Sequence, residues 1–213
     1  MKTEDLVRLL ACDTQPVRRH APARRVAVAL GLGTLLSLLL MLAQLGFNPD
    51  LGGYLRRPMF WVKFGAPLLM AAAAAPLVAR LGRPGMPVGR AWLAWLAPLA
   101  ALWLLGIAVW AGAPDIARPY LLWGNTWRAC PENIATLSLP VFLAALWSLR
   151  GLAPVRPALA GAGAGALAGA TGAAVYALHC PELGAPFIAV WYGLGMAVPV
   201  AAGALLGPQV LRW

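Results

Sequence analysis

Acidic residues are scarce in this 213-residue chain: seven Asp plus Glu stand against seventeen Lys plus Arg, and charged residues make up only 11% of the total. Soluble domains carry about a quarter charged residues, so this scarcity takes the chain out of the soluble globular class. Disorder is excluded by the opposite measure, because 61% of the residues are hydrophobic. Concentrated basic clusters are lacking too. The net charge of +10 is dispersed around long uncharged runs, a pattern that suits membrane topology and not contact with nucleic acid. No direct nucleic-acid partner is expected.

What the chain has in quantity is apolar runs. A bilayer core of about 30 Å needs about 20 apolar helical residues, and six stretches meet or approach that length, at 26–47, 60–79, 91–110, 131–149, 158–178 and 186–206. Spanning strands would alternate apolar with polar residues, whereas these runs are apolar on all sides. The expected fold class is therefore an all-α integral membrane bundle of six transmembrane helices. Proline occurs inside several runs, at Pro67, Pro76, Pro98, Pro140 and Pro199, where membrane bundles tolerate it as a kink. Lys2, Arg8, Arg18, Arg19, Arg24, Arg25, Arg80, Arg83, Arg90, Arg150, Arg156 and Arg212 fall on one side, against Arg56, Arg57, Lys63, Arg118 and Arg128 on the other. The positive-inside rule then predicts both termini in the cytoplasm. The first run is too long for a cleaved signal and is expected to stay as an anchor.

Loops long enough to fold alone are missing. The chain divides into a cytoplasmic N-terminal segment, 1–25, and a transmembrane domain, 26–213, with the lipid bilayer as its first partner. Tryptophans near the span ends, among them Trp61, Trp92, Trp110, Trp123 and Trp127, read as interfacial belt residues.

Acidic groups at mid-membrane are missing as well, and pumps and coupled transporters depend on such groups. Lys63 lies near a span end and is expected to snorkel to the headgroups. The hydroxyls of Thr34, Ser37, Ser138 and Thr171 are expected to back-bond to their own helices or to join neighbours. In the fifth span Gly161, Gly165 and Gly169 recur four apart on one helical face, a stripe that lets two helix backbones approach closely. Its likeness to a dinucleotide loop fails, since no strand precedes it and position 166 is Ala.

Only three cysteines occur. Cys130 and Cys180 each open a Cys-Pro-Glu triplet just before an inward-running helix, and both are expected at the outer surface, while Cys12 belongs to the cytoplasmic tail. The outer pair admits three readings: a structural disulfide, a reversible thiol switch, or a soft-metal site to which His179 adds a nitrogen and Glu132 and Glu182 add oxygens. No C-x-x-C spacing supports the metal or a catalytic redox role. In the tail, Thr3 stands as an N-cap before Glu4 and Asp5, and Leu6, Val7, Leu9 and Leu10 supply an apolar ridge for a helix of two to three turns. So short a helix needs a partner surface. Residues 1–13 have more acids than bases, so a protein groove fits them better than anionic lipid. Residues 14–25, with Pro16, Pro22 and four arginines, read as a tether.

Lys2-Thr3-Glu4-Asp5-Leu6, Ala21-Pro22-Ala23-Arg24-Arg25, Arg57-Pro58-Met59-Phe60-Trp61-Val62-Lys63 and Tyr176-Ala177-Leu178-His179-Cys180-Pro181-Glu182 followed by Trp191-Tyr192-Gly193 together resemble the NrsF family over nearly the whole chain. The resemblance implies a bacterial inner-membrane anti-sigma factor whose cytoplasmic N-terminus sequesters an extracytoplasmic-function sigma factor. It implies further that two outward-facing cysteines, by position Cys130 and Cys180, sense metal or oxidative stress. It implies no catalytic residue, no resident cofactor beyond transient soft-metal binding, no small-molecule substrate, and no role for Cys12. The competing expectation is a small integral-membrane transporter or a thiol-redox protein.

Overall fold

In lipid a backbone must satisfy its own polar groups, and each apolar run does so as a helix. The computed structural model describes residues 3–12, 21–152 and 154–212. Six helices are long and apolar enough to cross a membrane: Ala23–Gln44, Pro58–Leu81, Ala91–Gly112, Ala129–Arg150, Pro157–Tyr176 and Ala185–Val210. All six runs predicted from the sequence are there. No strand occurs among the described residues.

In chain order the elements are α1 (Thr3–Cys12), α2 (Ala21–Gln44), α3 (Leu51–Tyr54), α4 (Pro58–Leu81), α5 (Ala91–Gly112), α6 (Arg118–Trp123), α7 (Ala129–Arg150), α8 (Pro157–Tyr176), α9 (Ala185–Phe187) and α10 (Gly193–Val210). A π-helical turn, Ile188–Tyr192, joins α9 to α10 within the sixth span. Helices α4, α5, α7 and α10 continue through their internal prolines. The tether residues 14–20, with Pro16, Arg18 and Arg19, lie outside the described residues, as do the side chains of Leu9 and Leu10.

Helix α8 is the hub, buried along most of its length, while α5 is largely exposed at the periphery. The glycine stripe explains the hub. Gly161 abuts the backbone of Gly203, Gly165 that of Pro199 and Val200, and Gly169 that of Met196, so α8 and α10 touch main chain to main chain. Gly172, further along α8, meets Ile134 and Ser138 of α7. Both expected uses of the hydroxyls occur. Ser138 and Thr171 donate to the carbonyls of Ile134 (2.6 Å) and Leu167 (2.8 Å) in their own helices, whereas Ser37 of α2 donates across to Leu137 of α7. Leu36, Leu104 and Leu143 are among many large side chains left exposed on the rim, as a lipid-facing surface requires.

Contacts between the spans and their connections gather at the two ends of the bundle. At the tail side, Arg25 at the start of α2 donates to the Gly151 carbonyl between α7 and α8 (3.0 Å), and Gly82 at the end of α4 sits against Leu149 and Leu152. At the opposite end, segments 45–57, 124–130 and 178–184 converge. One expectation is corrected there. Lys63 does not snorkel; it is 0% exposed, because the 180–182 backbone folds over it and offers the Cys180 and Glu182 carbonyls to its ammonium. Trp127 packs with Trp123 and Trp191, with ring centroids 4.8–5.5 Å apart, and the Trp191 Nε1–H donates to the Leu122 carbonyl at 2.8 Å.

Candidate functional site

Cys130 lies in the first turn of α7, where the following Pro131 needs no hydrogen-bonded N–H. Cys180 follows the end of α8, on a turn in which its N–H donates to the Tyr176 carbonyl at 3.0 Å. The two thiols, one hundred percent buried at these positions, come together as free cysteines. The Cys130 thiol donates to the Cys180 sulfur. That sulfur also receives the Glu182 N–H and faces the hydroxyls of Tyr176 and Tyr192. The buried Tyr192 hydroxyl makes no hydrogen bond of good geometry. Cys180 consequently sits below the ordinary thiol range. The hydrogen bond from Cys130 lowers it most, burial opposes, and the Lys63 ammonium and the Glu182 amide lower it further.

The segment carrying Cys180 is held from three directions. The Lys63 ammonium of α4 donates to the carbonyls of Cys180 (2.5 Å) and Glu182 (3.0 Å), and the Tyr54 hydroxyl takes the intervening Pro181 carbonyl (2.8 Å). The Glu182 carboxylate accepts the Asn125 N–H at 2.7 Å, close to the start of α7. The Asn48 N–H donates to the Leu178 carbonyl (3.1 Å), and His179 Nδ1 pairs with the Gly46 carbonyl (3.0 Å).

Of the residues singled out in the sequence, the fold therefore unites Cys130 with Cys180, and it turns His179 toward the α2–α3 connection. Among the described residues no three His, Cys, Asp or Glu side chains converge as a metal-holding group. The pair is also less open than a surface position implies, since the 178–182 loop and two tyrosines close over it. In the tail, α1 forms over Thr3–Cys12 as the spacing predicts, with Thr3 as its first residue, and Leu6 is 42% and Val7 59% exposed. Sequence reasoning missed Lys63, Tyr54, Tyr176 and Tyr192. The signal for Lys63 was present: it is the single lysine inside a span, and an ionisable group there is functional by default.

Fold and site together define a small multi-pass, all-helical membrane protein that carries a buried thiol pair at one end. The family model described as NrsF, negative regulator of sigma F, matches residues 10–213, and the chain belongs to that family. The chain is 48% identical to the "Probable anti-sigma-F factor NrsF" of Azospira oryzae over the whole length of both. It is 41% identical to the "Anti-sigma-F factor NrsF" of Caulobacter vibrioides, again over both full lengths. No solved structure matches it.

Proposed function

We propose that the chain is an inner-membrane anti-sigma factor. Through α1 it holds an extracytoplasmic-function sigma factor on the cytoplasmic side, and it releases that factor when Cys130 and Cys180, facing the outer side, are oxidised or capped by a soft metal. The observation that carries the reading is the short amphipathic α1 with Leu6 and Val7 uncovered, in a chain whose full-length relatives bear the name anti-sigma-F factor. A two- to three-turn helix with acids in its first turn and leucines beyond is marginal alone and gains stability in a protein groove. The distribution of arginines favours the tail side as the cytoplasmic one. Release then needs the signal to favour one packing of the bundle over another, and a few kcal/mol of differential free energy moves most of the population.

Deleting residues 1–13 tests the reading. Sigma-dependent transcription is expected to rise to the level of a strain lacking the protein, while the truncated chain stays in the membrane at its normal amount. Unchanged transcription would leave the transporter or thiol-redox account as the better one.

A further inference from the structure

Thiol sensing leaves one group without a role. Lys63 is fully buried in a span, which is tolerated only for a partnered charge. Its partners are not acids but the Cys180 and Glu182 carbonyls, with the Tyr54 ring 5.9 Å from its Nζ, and its charge also acts on both thiols. With the Tyr54 hydroxyl on Pro181, three successive carbonyls of the thiol-bearing loop are gripped by residues 54 and 63. The grip is stiff, because giving up either carbonyl would strand a buried ammonium. From Lys63 helix α4 runs on through Pro67 and Pro76 for about 28 Å to Gly82 on the tail side. There Gly82 packs on Leu149 and Leu152, beside the Gly151 carbonyl that receives Arg25 at the root of the tail.

Building on the sensing reading above, we propose that Lys63 is the positioning residue that carries the state of the Cys130–Cys180 pair into α4. When the sulfurs are joined, the Cys180–Glu182 carbonyls shift, the ammonium follows them, and α4 shifts with it against the α7–α8 turn that anchors Arg25. Lys63 itself undergoes no chemistry.

The test uses the full chain in cells with a sigma-dependent reporter, and diamide as the probe. Diamide takes two electrons and two protons from the thiol pair, leaving a Cys130–Cys180 disulfide and a hydrazine. Lys63→Met keeps the length of the side chain and removes its donors. It is expected to repress normally without diamide and, given a treatment long enough to offset the slower ionisation of Cys180 without the ammonium, to reach the same final disulfide content, scored by alkylation and gel shift. Its reporter induction is expected to fall about tenfold, within the usual range of coupling free energies. Lys63→Arg, which restores donors, should recover much of the response. Induction of Lys63→Met equal to that of the parent overturns the proposal. So does derepression without diamide by a variant present in the membrane, since Lys63 would then hold the resting fold and not transmit a signal. A Cys130→Ser/Cys180→Ser chain that still responds to diamide would instead remove the sensing reading, and this proposal with it.

Discussion

At Cys180 the neighbouring Cys130 thiol favours ionisation. The folded thiol ionises at lower pH than the same thiol in the unfolded chain, about 8.5 for an unperturbed cysteine. The sign follows: this group contributes stability above the unfolded thiol range, and the contribution is lost as pH falls through the folded value. In a Cys12→Ser background, Cys130→Ala removes the donor and should move the pH profile of Cys180 alkylation by N-methylmaleimide upward. Cys130→Ser, whose hydroxyl still donates, should move it less. Coincident profiles would show that Cys130 does not tune its partner. The repeated Cys-Pro-Glu triplet made this pair legible in the sequence. Lys63 stood out as the lysine inside a span, but its partner did not, because its contact with Cys180 joins residues 117 apart, and proximity to a span end suggests snorkelling until the loop that intervenes is known.

Among the elements, α8 carries the packing argument. A Cβ on Gly165 would fall into the Pro199 carbonyl, a backbone atom that cannot rotate away, whereas one on Gly31 of α2 meets nothing within 4 Å. Gly165→Ala should therefore destabilise the bundle by about 1–3 kcal/mol, the usual range for overpacking. Gly31→Ala should be neutral or slightly stabilising through helix propensity. Thermal unfolding of both variants in detergent checks the contrast, and equal shifts would refute the tight α8–α10 contact. The stripe itself could be read from spacing, but a small-xxx-small pattern names a surface and not its mate. That α10 answers it with Gly203 and Gly207 emerges only from the fold. The π-helical turn Ile188–Tyr192 was equally hidden. Its residues look like any apolar run, yet the turn sends Trp191 to Leu122 and leaves Tyr192 beside Cys180.

For the whole molecule, length and hydropathy were enough to predict six spans, since bilayer thickness fixes how long each must be. Which span becomes the centre was not predictable from apolar content, because small side chains and not greasy ones put α8 there. The alternation of spans makes a further prediction about sidedness. A membrane-impermeant maleimide should reach the exposed Cys12 only from the cytoplasmic face. Cys130 and Cys180 should react only from the opposite face, and slowly until the loop opens. Labelling of all three from one compartment would dismantle the proposed relay.

The hub also dictates an order of manufacture. A nascent α8 emerging before α10 would turn Gly161 and Gly165 toward acyl chains with little side-chain surface to offer them. It is a poor lodger in lipid until its mate arrives. A chain stopped after residue 184 should therefore be cleared by membrane quality control, although five of its six spans have been made.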